Sequence, residues 1–129
     1  MTPLRILLAD DSQHSLQLLS AYLRDVADEI STCLDGDQAV SLFESTPFDL
    51  VLLDVVMPAM DGLTATERIR AIEREQGREP VPVVLLSGKD TPEEIERYAR
   101  AGIAAFLPKP ISRFELIETV RHNTPTATA

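Results

Sequence analysis

Two kinds of segment alternate along the chain. Residues 4–9, 50–53 and 81–86 are short apolar runs with no polar alternation, the pattern of strands covered on both faces. Residues 29–33 and 104–107 are weaker runs of the same kind. Between them lie helical patterns. Leu19, Tyr22, Leu23 and Val26 fall at i, i+3, i+4 and i+7, as do Ile95, Tyr98, Ala99 and Gly102. Leu116, Ile117 and Val120 make a shorter stripe, and a long third helix is expected over 64–75. The punctuation agrees. Thr91-Pro92-Glu93-Glu94 offers a threonine cap, proline at the first helical position and a glutamate three residues after the cap, and Ser112 to Glu115 is a second capping box. Gly102 is placed to end the fourth helix in a left-handed cap, and 76–80 is a polar loop. The order βαβαβαβαβα predicts an α/β fold: a single five-stranded parallel sheet, helices on both faces, right-handed crossovers. One domain is expected over 1–123, and the small, polar, proline-containing stretch 124–129 reads as a disordered tail or the start of a linker.

Composition narrows the function. At 129 residues the chain suits one domain with a proper core. A net charge of -9 argues against direct nucleic-acid binding, which needs clustered lysine and arginine. No apolar run approaches a membrane span. The single cysteine excludes an internal disulfide, and with no secretory apolar segment at the start a cytoplasmic location is expected. Cys33 itself reads as a small buried hydrophobe rather than a redox group.

The polar groups that change the picture all follow strands. The first run leads into Asp10-Asp11, the third ends at Asp54, the fourth at Ser87-Gly88, and the fifth is followed by Lys109-Pro110. Ligands of open parallel sheets bind at that edge, where the strand order reverses. A 2-1-3-4-5 order, the common one for five strands, makes Asp10, Asp11 and Asp54 converge. Two carboxylates ~4 Å apart repel by roughly 4 kcal/mol at an effective dielectric near 20. Lys109 supplies one offsetting charge, and a divalent cation would supply two more. Mg2+ suits a few hard carboxylate oxygens plus water, and no His or Cys cluster points to zinc. Asp54 is a plausible nucleophile, since a carboxylate needs no general base. Ser87 and Lys109 are placed to hold oxygens of a transferred phosphoryl group, and Gly88 leaves the approach open.

The stretches ILLADDS, LVLLDVVMPAMDG, VVLLSG and AFLPKP, in that order and spread over residues 4 to about 122, resemble the receiver domains of response regulators and hybrid histidine kinases. The resemblance implies a flavodoxin-like (βα)5 fold and a phosphorelay role. Asp54 would accept a phosphoryl group from a histidine kinase or histidine phosphotransfer protein. Mg2+ would be ligated by Asp11 and Asp54, by the Val56 carbonyl, and through water by Asp10. Ser87 and Lys109 would bind the phosphoryl group. Ser87 and Phe106 would form the switch, and the Lys109-Pro110 bond would be cis. It further implies an unknown downstream protein partner and a monomer or weak phosphorylation-dependent dimer. The long third helix and the GREPVPVVLLS stretch after it look more like hybrid-kinase receivers than transcription-factor receivers. Phe106 lacks a tyrosine hydroxyl. Val56 cannot orient an attacking water, which predicts a relatively long-lived acyl phosphate. Lys89 adds positive charge nearby.

Each residue also has a plain reading. Asp35 and Asp61 are helix caps or turn residues beside Gly36 and Gly62. Asp10 and Asp11 alone would be as readily caps as ligands, Ser87 a loop residue, Lys109 a solvated cation, and Phe106 packing. His14 reads as surface, His122 as a cation favoured near a helix C-terminus, and Glu93, Glu94, Glu96 and Arg97 as a solvated face. Three rivals remain open. A flavodoxin-type cofactor binder would want Ser, Thr and Gly, not Asp-Asp, in its first loop. An aspartyl-phosphate hydrolase would want an acid at position 56. A degenerate receiver would lack one of the key groups.

Overall fold

The computed structural model describes residues 3–124. Ten elements alternate without exception: β1 Arg5–Ala9, α1 Gln13–Leu23, β2 Glu29–Cys33, α2 Gly36–Ser45, β3 Leu50–Asp54, α3 Gly62–Gln76, β4 Val83–Ser87, α4 Pro92–Arg100, β5 Ala105–Pro108 and α5 Arg113–Asn123. The five strands form one parallel sheet in the order β2-β1-β3-β4-β5, the common order expected for five strands alternating with helices.

The period of two along each strand builds two cores. Leu7, Ala9, Val51, Leu53, Val83 and Leu85 face Ala39 and Phe43 of α2, Ala65, Ile69 and Ile72 of α3, and Tyr98 of α4. Ile6, Leu8, Leu50, Leu52, Val84 and Leu86 face Leu16, Leu19 and Leu23 of α1 and Leu116 and Val120 of α5. The three central strands are therefore apolar at successive positions apart from Arg5, Asp54 and Ser87 at their ends, and the edge strands β2 and β5 are partly exposed.

Helix starts follow the capping chemistry. Asp35 accepts from the Gln38 N–H at 2.8 Å and Asp61 from the Thr64 N–H at 2.8 Å. Thr91 accepts from Glu94 and Ser112 from Glu115. Ser12 caps α1 in the same way. Gly102, at φ 84°, follows the end of α4 in the left-handed region.

Three segments depart from the periodicity. The stripe in α1 runs past the helix: α1 stops at Leu23, and Val26 packs on the same core from the following turn, where its N–H bonds the Leu23 carbonyl. The apolar run at 81–86 enters the sheet only at Val83. The Val81 N–H is taken by the Glu73 carboxylate at 2.7 Å and the Val81 carbonyl by Arg70 at 2.8 Å, so its backbone is committed to α3 instead of the ladder. Arg70 also donates to the Gly102 carbonyl and pairs with the buried Glu73, tying α3 to both ends of the β4–α4 unit. In α4, only Tyr98 of the expected stripe is buried, while Ile95 is 40% exposed. The helix is short and stands on the sheet through that one side chain, so its neighbours a turn away stay in solvent. Of the expected tail, Thr124 is buried and donates to the Val120 carbonyl; 125–129 lie outside the described residues.

Gly62 begins α3 against the backbone of Asp54, and a Cβ there would run into the Asp54 carbonyl oxygen. Gly62→Ala is expected to cost about 1–3 kcal/mol, the usual range for overpacking. Urea unfolding checks this, and an unchanged midpoint would refute the close approach.

Candidate functional site

The carboxyl ends of β1, β3 and β4 are neighbours in the sheet. Ala9 lies opposite Leu53, and Asp54 opposite Leu86. Chain continuity then places Asp10 and Asp11 beside Asp54, with Ser87 one strand over. Carboxylate oxygens of Asp10, Asp11 and Asp54 all lie within 4.8 Å of one another. Asp10 and Asp54 are buried and Asp11 is exposed.

Lys109, in the loop after β5, closes the cluster. Its Nζ is 2.8 Å from Asp54 Oδ2 and 3.5 Å from Asp10 Oδ2. The first is a charge-assisted hydrogen bond, the second an ion pair beyond bonding distance. Lys109 is also anchored by its backbone N–H on the Ser87 carbonyl at 2.8 Å, and the Lys109-Pro110 bond is cis. Asp54 Oδ1 receives the Val56 N–H at 3.3 Å, while the Val56 side chain is 59% exposed.

Asp10 is held by its N–H on the Cys33 carbonyl, and its Oδ1 accepts from the Ser12 N–H at 2.9 Å. Its Oδ2 is buried and makes no hydrogen bond. A buried, unbonded carboxylate oxygen is costly, more so beside two like charges. Burial raises the Asp54 carboxyl above the usual range, and the charge of Asp10 adds to this against the opposing hydrogen bond and charge of Lys109. Burial pulls Lys109 down, but its hydrogen bond to Asp54 and the charges of Asp54 and Asp10 outweigh that, and its net shift is up. An ion pair alone would lower its acid. Here burial outweighs the bond to Lys109, and the neighbouring Asp10 charge pushes the same way.

These residues fit a divalent cation. The donors are hard oxygens, one of them lacks any hydrogen-bond partner, and three carboxylates face a single ammonium. Mg2+ would find ligands in Asp10, Asp11 and Asp54.

Two expected residues make their recorded contacts away from the carboxylates. Ser87 is buried at the end of β4, but its hydroxyl is bonded on the far side: it accepts from the Lys89 N–H at 2.9 Å and lies 2.9 Å from Tyr98 Oη. Phe106 is half-buried on β5, its ring centroid 5.7 Å from that of Tyr98. Tyr98 is the residue that periodicity hid. Its spacing marks it as core, and only the phenol, a polar group that seeks a partner when buried, signals more. The Cys33 thiol, raised to about 11 by burial and then by Asp35, stays protonated and inert at neutral pH, as its apolar surroundings suggest.

Comparison with known proteins follows the same residues. The family described as the response regulator receiver domain matches residues 6–121. The chain is 38% identical over 116 residues to the sensor protein GacS of Pseudomonas syringae, covering 90% of this chain and 13% of that protein. It is thus similar to about an eighth of the length of such relatives. Among solved structures it resembles the receiver domain of the sensor histidine kinase PA1611 of Pseudomonas aeruginosa, which has magnesium coordinated in its active-site cleft. The TM-score there is 0.82 at 30% identity, covering 95% of this chain and 98% of that one. It also resembles the receiver domain of the histidine kinase CKI1 of Arabidopsis thaliana, complexed with Mg2+ and BeF3-, with a TM-score of 0.81 at 29% identity, covering 92% of this chain and 87% of that one. No helix among the described residues is long and apolar enough to cross a membrane.

The raised Asp54 carboxyl has a stability consequence in metal-free protein. A folded-state acid raised above its unfolded value stabilises the fold while protonated, and that stability is lost as pH climbs through the folded value. Asp54→Asn, which keeps a neutral group there, is expected to be more stable than wild type at pH 7 in EDTA. The gap should close below pH 4, where wild type is also protonated. Urea unfolding at both pH values checks it, and a less stable variant at pH 7 contradicts the sign.

Proposed function

The chain belongs to the response regulator receiver domain family of two-component signalling, and on that premise we propose that it accepts a phosphoryl group on Asp54 in a Mg2+-dependent transfer and thereby switches a protein-binding surface. The observation that carries this reading is the Asp54–Lys109 pair set beside the unbonded buried oxygen of Asp10. A nucleophilic carboxylate, a fixed cation and a place for a second cation occupy one strand edge.

The steps follow from the groups present. Asp54 attacks phosphorus as an ionised carboxylate, with Lys109 and the Val56 N–H holding its two oxygens and fixing its direction. Lys109 is 34% exposed on its side chain, open enough to meet a phosphoryl oxygen as well. Ser87 supplies a hydroxyl to another. Asp11, Asp54 and the Val56 carbonyl would hold Mg2+, with Asp10 reaching it through water, and the ion would supply charge neutralisation for the carboxylates and the phosphoryl oxygens. The domain that does this spans 1–123.

The donor proposed is the phosphohistidine of a histidine kinase or phosphotransfer protein. An apolar groove of about 140 Å³ supports a docking partner: it is lined by Ser15, Leu18 and Leu19 of α1 and by Pro110 and Ile111, and it opens beside Asp10 and Lys109. Leu18 at 43% and Phe114 at 72% exposure are large apolar side chains on the two helices of that face. Phosphorylation then shifts a pre-existing balance at α4, β5 and α5, with Ser87 and Phe106 as the moving parts. The loss of phosphate is slow, because Val56 has no polar group to orient water.

Acetyl phosphate with Mg2+ should add one phosphoryl mass to the intact chain, and Asp54→Ala should abolish it; labelling that persists in the variant overturns the assignment. Val56→Asn should shorten the lifetime of the phosphorylated chain relative to wild type, followed by intact mass, and equal lifetimes remove the role given to Val56.

A further inference from the structure

Helix α4 meets the rest of the molecule through one buried side chain, Tyr98. Its Oη donates to the Lys89 carbonyl at 3.0 Å and lies 2.9 Å from Ser87 Oγ. Ser87 Oγ is itself 3.1 Å from the same Lys89 carbonyl and accepts from the Lys89 N–H at 2.9 Å. Two hydroxyls thus share one carbonyl. Their two protons can be placed within the triangle in three ways. Ser87 donates to Lys89 and Tyr98 to Ser87, Tyr98 donates to Lys89 and Ser87 to Tyr98, or both donate to Lys89. In each, the single proton of Ser87 is spent inside the triangle.

We propose that Tyr98 is a positioning residue that competes with the phosphoryl group for the Ser87 hydroxyl, so that phosphorylation is read out by release of the Ser87–Tyr98 hydrogen bond. The proposal rests on the receiver reading above and deepens it. When Ser87 turns to a phosphoryl oxygen, the Lys89 N–H loses its acceptor and Tyr98 Oη keeps only the Lys89 carbonyl. Both groups are in or against the core, where a lost partner is expensive. The 88–89 turn and the Tyr98 phenol must then adjust together. Since Tyr98 is the sole buried anchor of α4, and its ring packs on Phe106, the adjustment passes directly to the helix and to β5. The hydroxyl that Phe106 lacks is thereby supplied from a different element.

The test uses beryllofluoride, a tetrahedral stand-in for the phosphoryl group, titrated calorimetrically with saturating Mg2+ into wild type, Tyr98→Phe, Ser87→Ala and the double variant. Removing the phenol leaves Ser87 Oγ held only by the Lys89 backbone, so the hydroxyl turns away at lower cost. Tyr98→Phe should therefore bind roughly two- to tenfold tighter than wild type, the worth of one net hydrogen bond. In the Ser87→Ala background the same change should do nothing, an outcome that a merely structural role for Tyr98 would not produce. Equal or weaker binding by Tyr98→Phe, or the same gain without Ser87, overturns the competition while leaving the receiver reading intact. No beryllofluoride binding by wild type overturns both. A second readout needs no change at Tyr98. The chain has two tyrosines and no tryptophan, so Tyr22→Phe leaves Tyr98 as the only ultraviolet reporter above the phenylalanine background. Its band should shift on beryllofluoride saturation and stay fixed when Ser87→Ala is added; a band unmoved in Tyr22→Phe overturns the proposal.

Discussion

One ammonium facing three carboxylates is the constraint from which the rest of this molecule follows. The parallel sheet places every strand's carboxyl end on one edge, and the 2-1-3-4-5 order sets β1 beside β3 there. That topology gathers Asp10, Asp11 and Asp54 within a few ångströms, and Lys109 reaches two of them. The cluster remains under-neutralised: three carboxylates meet one ammonium, and one oxygen of Asp10 is buried without a hydrogen-bond donor. A stability-optimised protein would replace such a pocket with apolar side chains. This one retains negative charge whose cost a hard cation and a phosphoryl group can offset, and that is why binding there can do conformational work.

The constraint also fixes how the surroundings are built. Gly62 lets α3 begin against the Asp54 backbone, and Asp61 caps that helix from the same loop. Arg70 and Glu73 then join α3 to the start of β4 and the end of α4. The acceptor strand is thus gripped by well-packed elements, while α4, standing on a single tyrosine, is the part free to respond. A rigid site beside a lightly held helix is the arrangement a switch needs.

Much of this was legible in the chain before any coordinates. Runs such as 50–53 announce central strands because both faces are covered, and Asp35, Asp61, Thr91 and Ser112 announce helix starts because a short polar side chain can reach the N–H three residues on. The acids at strand ends pointed to one edge, and the common order of five-stranded parallel sheets is the one that makes them meet. What stayed hidden was long-range and polar. Nothing in the local pattern tells that Val81 will give its backbone to Arg70 and Glu73, or that Ile95 will face water while Tyr98 is buried. Ser87 was legible as a hydroxyl at the right strand end, but not its partner, because a tyrosine at helical spacing reads as oil until its neighbour across the sheet edge is known.

The doubly covered sheet leads to a less obvious outcome for how the chain finds its register. In a sheet with one wet face, slipping a strand by one residue exposes its greasy side and is penalised at once. Here β1, β3 and β4 are apolar at successive positions, so a slip merely hands each side chain from one oily layer to the other. Hydrophobicity is close to blind to that mistake. Asp10, Asp54 and Ser87 are not, because moving them one step inward would seal a charge or a hydroxyl among aliphatic neighbours. The reactive groups therefore serve as full stops at the ends of otherwise uninformative sentences, and selection for chemistry at this edge also keeps the strands in step.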